Sequence, residues 1–246
     1  MEIVIDGMRC EAEYGEYILE IAGRNNIRIP ALCHSNALPG QASCRLCIVE
    51  VVENNRSKIV TSCVYPVTCE IEVITNSKKL TDMRKTIIML LSARAPRNGY
   101  IDRLREEYGV PQVTRFSSCE KEECVLCGLC TSACDSLGIS AISTVSRGTS
   151  KKVSTPFDEP SPVCVGCGAC ASVCPVGAIK IIEANGKRTI WNREFRMVKC
   201  SRCGEYYATF EQLEYIRQKL NGQERSSLCE KCRRAVAAQK LKDIYG

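Results

Sequence analysis

Four cysteines, Cys124, Cys127, Cys130 and Cys134, recur 40 positions later as Cys164, Cys167, Cys170 and Cys174. Each set reads C-x2-C-x2-C-x3-C, and no other feature of the chain constrains its fold as tightly. Thiolates at i, i+3 and i+6 wrap one face of an iron–sulfide cubane, and this spacing is the bacterial two-cluster run. The fourth cysteine is expected to start a helix pointing away, and so to ligate the other cluster. One [4Fe–4S] cluster is therefore assigned to Cys124, Cys127, Cys130 and Cys174, the other to Cys164, Cys167, Cys170 and Cys134. Gly128, Gly166 and Gly168 let the loops pass close to inorganic sulfide. Pro175 closes the second run; Asp135 stands where the first would carry its proline, which removes a rigid turn but no ligand. Eight thiols in register are hard to explain as zinc sites or as chance.

With 19 Cys in 246 residues, a disulfide framework has to be weighed against metal ligation. Disulfide scaffolds are usually short secreted chains. This sequence opens Met1-Glu2-Ile3-Val4-Ile5-Asp6, unlike a signal peptide, and its longest apolar stretch, around Ile87 to Leu91, is too short for a bilayer. A reducing, cytoplasmic setting without membrane insertion is expected. With one Trp and four Phe, the small units would lean on metal for stability. The formal charge of +6 leaves the clusters out. Each thiolate-bound cluster adds about −2, so three bring the loaded protein near neutrality. Basic residues form no stripe with interleaved aromatics, and nucleic acid is not expected as a partner.

Residues 1–78 read as a small sheet with one helix across it. Met1 to Gly7 is a strand and turn, Met8 to Glu13 its hairpin partner, and Gly15 to Ala22 a short helix stopped at Asn25-Asn26. Cys47 to Val52 and Glu70 to Ile74 have strand character. Cys33, Cys44, Cys47 and Cys63, spaced C-x10-C-x2-C-x15-C, supply the four thiolates of a [2Fe–2S] rhomb. Backbone N–H groups around Ser43 and Arg45 are expected to face its sulfides. This stretch, with Ile29-Pro30-Ala31-Leu32-Cys33-His34, resembles the β-grasp [2Fe–2S] ferredoxin domain that opens the large peripheral subunit of respiratory complex I and of multimeric hydrogenases. His34, the one histidine, reads as a packing residue beside a ligand.

Residues 79–116 read as a helical linker. Leu80, Met83, Ile87, Leu90 and Leu91 recur at helical spacing, Pro96 stops that helix, and Ile101 to Tyr108 forms another before Gly109. Arg84 to Pro96 is similar to a helix that in the family precedes a His and three Cys holding a further [4Fe–4S] cluster. Ala95 falls at that His, and no Cys follows before Cys119, so the resemblance implies a scaffold without its cluster. Residues 117–195 form the two-cluster unit. There Ile142 to Gly148 and Pro156 to Asp158 resemble electron-bifurcating and [FeFe] hydrogenase large subunits. The resemblance covers about residues 1–182, and the active-site domain that would follow is expected to be absent.

Residues 196–246 carry two knuckles, Cys200/Cys203 and Cys229/Cys232. Paired C-x2-C steps are the spacing of structural zinc, in a small zinc-ribbon-like module; a third [4Fe–4S] cluster is the rival. Thr209 reads as a helix N-cap with Gln212 at the capping-box position, the helix runs to Asn221-Gly222, and Arg233 to Ile244 forms a last helix. Basic residues, among them Arg217, Lys219, Arg225, Arg233 and Lys240, form either a docking face for an acidic partner or a solvated face that caps the domain. Cys10, Cys69 and Cys119 remain, and they read as free, buried thiols.

The fold class expected is therefore α+β: a β-grasp ferredoxin unit, a helical linker, a two-cluster ferredoxin unit and the four-cysteine tail. No Walker loop or dinucleotide fingerprint is present, since Gly166-Cys167-Gly168 lies inside a cluster run. The chain has no substrate site of its own and is expected to move electrons. The resemblance implies an NAD(H)-binding flavoprotein subunit, a second catalytic subunit and soluble ferredoxin as partners, in flavin-based electron bifurcation of hydrogenase, formate dehydrogenase or transhydrogenase type. A free-standing polyferredoxin and a redox-sensing regulator are the alternatives.

Overall fold

The computed structural model describes residues 1–112, 122–221 and 227–245. Cys119, Gly222 and Arg225, and the boundary expected at 116/117, lie outside the described residues. Two compact units emerge. The first is Met1–Ala133 with Thr144–Val153 and Val173–Ala178; the second is Cys134–Ser143, Ser154–Ser172 and Ile179–Gly246.

The first unit opens on a hairpin, β1 (Glu2–Ile5) and β2 (Met8–Glu11). Asp6 and Gly7 turn it with φ of 48° and 82°, the double left-handed turn that matches strand twist. Helix α1 (Ile18–Arg24) buries Ile18, Ile21 and Ala22 and ends at Asn25, close to its expected stop. Strands β3 (Ile48–Glu53), β4 (Arg56–Thr61) and β5 (Glu72–Ile74) complete a five-stranded sheet ordered β2-β1-β5-β3-β4, with β1 and β5 parallel. Ile3, Ile5, Val49, Val51 and Val73 meet the α1 residues in one core. Strand β4 was not expected from the sequence; its Arg-Ser-Lys start is exposed and carries no apolar alternation.

Helix α2 (Lys78–Arg94) starts at Ser77, whose hydroxyl accepts the Leu80 amide, and α3 (Gly99–Glu107) starts at Asn98. The buried stripe of α2 is Leu80, Arg84 and Ile88, at i, i+4 and i+8. Met83 and Leu90, expected inside, are exposed. A buried arginine takes their place, which an apolar count does not detect.

Helix α4 (Leu129–Ser136) follows the first cysteine run, strands β6 (Ser143–Val145) and β7 (Lys152–Ser154) pair in a ribbon, and α5 (Ala169–Ser172) lies in the second run. The helices begin beside the third cysteine of each run, not at the fourth as expected. Cys134 sits in the last turns of α4 and Cys174 comes after α5.

The second unit carries a four-stranded antiparallel sheet, β8 (Ile182–Ala184), β9 (Lys187–Ile190), β10 (Arg193–Lys199) and β11 (Tyr206–Thr209). Strand β10 runs through 195/196, where the sequence suggested a boundary. The turn Asn185-Gly186, with φ of 51° and 74°, is the signal that marks β8–β9 as a hairpin. Helices α6 (Phe210–Lys219) and α7 (Glu230–Tyr245) end the chain. Thr209 caps α6, its hydroxyl accepting the Gln212 amide at 3.1 Å. Among the described residues, no helix is long and apolar enough to cross a membrane.

Candidate functional site

Cys33, Cys44 and Cys47 lie on the long segment between α1 and β3, and Cys63 follows β4; all four are buried. The Cys33 and Cys44 sulfurs are 3.4 Å apart, and the Cys44 amide donates to the Cys33 sulfur at 3.3 Å. The neighbouring Cys44 and Cys63 thiols hold Cys33 well below the ordinary thiol range. Cys63 likewise holds Cys47 at about 6, and both Cys44 and Cys63 are pushed up by the thiolate of Cys33. The four buried sulfurs share their protons, and they are the soft donor set a metal takes once those protons leave. Ala42 and Arg45 adopt φ of 49° and 59°, which folds this loop back tightly. His34 is partly buried and lines an open cleft with Leu19, Glu20 and Arg24.

A buried cation braces this loop. Arg84 donates from Nε to the Leu46 carbonyl at 3.1 Å, and from Nη2 to the carbonyls of Ile48 and Thr75 at 2.6 and 2.9 Å. Leu46 and Ile48 flank Cys47, so α2 positions that cysteine. Sequence reading placed Arg84 on a helix but gave it no role.

In the same unit, Cys174 packs with Val125, Cys127, Leu129 and Val176. Burial pushes the Cys127 thiol up to about 11, and negative charge on Cys174, Cys124 and Cys33 opposes its ionisation further. The Asn98 side chain caps α3 and donates to the carbonyls of Val176 at 2.7 Å and Glu123 at 3.4 Å. It thereby ties the chain just after Cys174 to the chain just before Cys124. Arg94 adds bonds to the carbonyls of Cys124 at 3.2 Å and Lys151 at 2.7 Å. The Ser43 hydroxyl, next to Cys44, donates to the Cys127 carbonyl at 2.9 Å.

In the second unit, Cys134, Cys164 and Cys167 pack around Ile139, Ala141 and Val165. Cys170 joins them in a hollow closed by Ile190 and Trp191. The sheet β8–β11 grips the loop that carries these thiols. Arg193 donates to the carbonyls of Ser161, Pro162 and Cys164 at 2.7, 2.8 and 2.8 Å, Arg188 to that of Gly166 at 2.8 Å, and Thr209 to that of Val165 at 2.5 Å. A Cβ on Gly166, at φ of 65°, would meet the Phe195 ring at 2.7 Å. Glycine is therefore required here by close approach as well as by backbone conformation. The hollow, its apolar walls and its four thiols fit a thiolate-bound cluster.

Trp191, the one tryptophan, donates from Nε1 to the Cys170 sulfur at 3.5 Å. Burial pushes that thiol up to about 11, and the indole pulls it back. A hydrogen bond to a ligand sulfur stabilises the more negative, reduced cluster. Trp191→Phe is expected to lower the potential of this cluster alone, by about 40 mV if the bond is worth about 1 kcal/mol more in the reduced state. Redox titration followed by paramagnetic resonance reads the shift; unmoved potentials would show that the indole only fills space.

Cys200, Cys203, Cys229 and Cys232 bring their sulfurs within 4.8 Å of one another. Cys203 and Cys229 are 3.8 Å apart, and the Cys229 amide donates to the Cys200 sulfur at 3.3 Å. The amides of Cys203 and Cys229 hold the Cys200 thiol at about 6, while burial pushes Cys232 up to about 12. Among the cysteines outside these groups, Cys10 is buried in the first core as expected, whereas Cys69, expected to be buried, is exposed and donates to Glu53 at 3.2 Å.

Comparison with known proteins agrees with this distribution. Residues 1–78 match a family described as a 2Fe-2S iron-sulfur cluster binding domain, and residues 117–184 match a 4Fe-4S dicluster domain. The chain is 30% identical over 210 residues to the NADP-reducing hydrogenase subunit HndD of Solidesulfovibrio fructosivorans, covering 73% of this chain and 36% of that one. It is 27% identical over 231 residues to an NADH-quinone oxidoreductase subunit of Rhizobium meliloti, covering 83% and 27%. A crystal structure of an NAD+-reducing [NiFe]-hydrogenase in the H2-reduced state superposes with a TM-score of 0.63 at 25% identity, over 72% of this chain and 85% of that one. The chain thus spans well under half the length of these two curated relatives.

Proposed function

We propose that this chain, homologous to the N-terminal iron–sulfur regions of hydrogenase and NADH-quinone oxidoreductase large subunits, is an electron-transfer subunit of a multi-subunit NAD(P)H-linked oxidoreductase. Cys33, Cys44, Cys47 and Cys63 hold its [2Fe–2S] cluster, in a unit whose parallel β1–β5 pair and crossing helix α1 support the β-grasp reading. Cys124, Cys127, Cys130 and Cys174 hold one [4Fe–4S] cluster; Cys164, Cys167, Cys170 and Cys134 hold the other. The clusters carry the electrons, and the protein sets their positions and potentials.

The observation that carries the relay is the bond from Ser43 to the Cys127 carbonyl at 2.9 Å. It joins the residue before Cys44 to a ligand of the first [4Fe–4S] site, so the two cofactor loops touch directly. Cys33, Cys44 and Cys127 lie in one buried cluster of side chains. Electrons entering at one cluster therefore have a short step to the next. The partners inferred are an NAD(H)-binding flavoprotein and a second catalytic subunit, with soluble ferredoxin as a third participant in electron bifurcation.

Native purification under anaerobic conditions tests this reading. The chain is expected to co-elute with a flavoprotein and to carry about ten Fe and ten sulfide. Elution alone, with the same iron, would favour a free polyferredoxin. Iron of about two would remove the two-cluster unit altogether. Bifurcation itself requires that oxidation of one two-electron donor, NAD(P)H or the substrate of the second catalytic subunit, drive reduction of both a high- and a low-potential acceptor in the purified complex; reduction of one acceptor alone would exclude it.

A further inference from the structure

We propose that Cys200, Cys203, Cys229 and Cys232 enclose a single tetrahedral zinc ion, and that this ion is the anchor of α7.

The first argument is size. A zinc–thiolate bond of about 2.3 Å sets the edges of a sulfur tetrahedron at about 3.8 Å. Cys203 and Cys229 stand at 3.8 Å, and all four sulfurs lie within 4.8 Å of one another. A cubane interposes its own iron and sulfide and spreads its ligand sulfurs to about 6 Å. The space therefore admits one ion and excludes a cluster. Among the described residues, this is the one group of three or more such side chains close enough to share an ion.

The second argument is the donor set. Four thiolates close the coordination shell and leave no position for water or substrate, which is the structural type of site. At such a site Zn2+ outbinds Fe2+. The first knuckle turns at Gly204, with φ of 74°, and its amide donates to the Cys200 carbonyl at 2.9 Å. The Cys229 amide meets the Cys200 sulfur and offsets part of the thiolate charge.

The third argument concerns α7. Of its 16 residues, the one buried is Cys232. Leu241, Ile244 and Tyr245 are 58%, 70% and 84% exposed. Between α6 and the start of α7 lies an open cleft of about 770 Å³, lined by Tyr207, Leu213, Ile216, Leu228 and Arg233. A helix without a buried apolar face is marginal in water unless something else holds it. The helix enters the fold through two ligands, Cys229 before its first residue and Cys232 in its first turn. Metal binding and ordering of this segment are therefore one event.

The test uses the full chain with its clusters loaded. Elemental analysis is expected to give about one Zn beside about ten Fe. Zinc-edge X-ray absorption on the unmodified protein is expected to show four sulfurs at about 2.3 Å. The double variant Cys229→Ser/Cys232→Ser is expected to lose zinc, keep all iron, and exchange its α7 amides about ten-fold faster or more, with β8–β11 unchanged. About 14 Fe without zinc, or one extra mononuclear Fe in its place, would overturn the zinc assignment. Nitrogen or oxygen in the zinc shell would overturn the four-thiolate site. Unchanged exchange in α7 after zinc loss would overturn the anchor. None of these results bears on the three-cluster reading, which rests on the remaining iron and its spectra.

Discussion

Cys134→Ser is expected to extinguish the [4Fe–4S] cluster held by Cys164, Cys167 and Cys170, and to leave intact the cluster beside it in sequence. Iron should fall from about ten to about six per chain, with one of the two cubane signals lost and the other kept. The reason lies in where the chain goes after α4. Residues 134–143 fold with residues 154–172, and residues 173–178 fold with the segment that carries Cys124, Cys127 and Cys130. The Ala141 amide donates to the Cys134 sulfur at 3.2 Å, and Ile139, Ala141 and Val165 pack the same hollow. Cys174→Ser is the mirror experiment and should remove the other cluster. Loss of the sequence-adjacent cluster in either variant would refute the crossed assignment.

Arg84→Met is expected to destabilise the first unit by about 3–5 kcal/mol and to make the [2Fe–2S] cluster labile. Arg84 is 3% exposed, and its guanidinium donates to three carbonyls. Methionine fills the volume of the side-chain stem but leaves those acceptors without donors, and each buried acceptor left bare costs about 1–3 kcal/mol. Burial lowers the pKa of Arg84, yet an arginine so held stays charged. Its charge also faces Cys47, so its loss removes a cation beside a cluster of net negative charge. Arg84→Lys should fall between, because one ammonium cannot span three acceptors. Denaturant-induced bleaching of the [2Fe–2S] spectrum measures the effect. A midpoint within experimental error of the parent protein would mean that the bonds are incidental.

The cysteine spacings and the punctuation of the chain were legible in the sequence because both act locally. Three thiols at i, i+3 and i+6 face one side of a loop, whatever the rest of the chain does. Asp6-Gly7, Asn25, Pro96 and Thr209 set turns, stops and caps through their own backbone preferences, and the hairpin, α1, α2 and α6 begin or end close to them. What the tertiary structure alone decided is which side chain reaches which carbonyl. Arg84, Asn98, Arg188 and Arg193 all act on main-chain oxygens far away in sequence, and every residue offers such an oxygen, so no pattern of residue types announces the pairing. Trp191 meets Cys170 by the same accident of closure. The four-cysteine tail makes the division plainest. Two C-x2-C steps favour zinc yet also admit a cubane, because the ligand chemistry is the same. The zinc proposal rests on the separation of the sulfurs, and that distance exists only once β10, β11 and α7 have brought the two knuckles together.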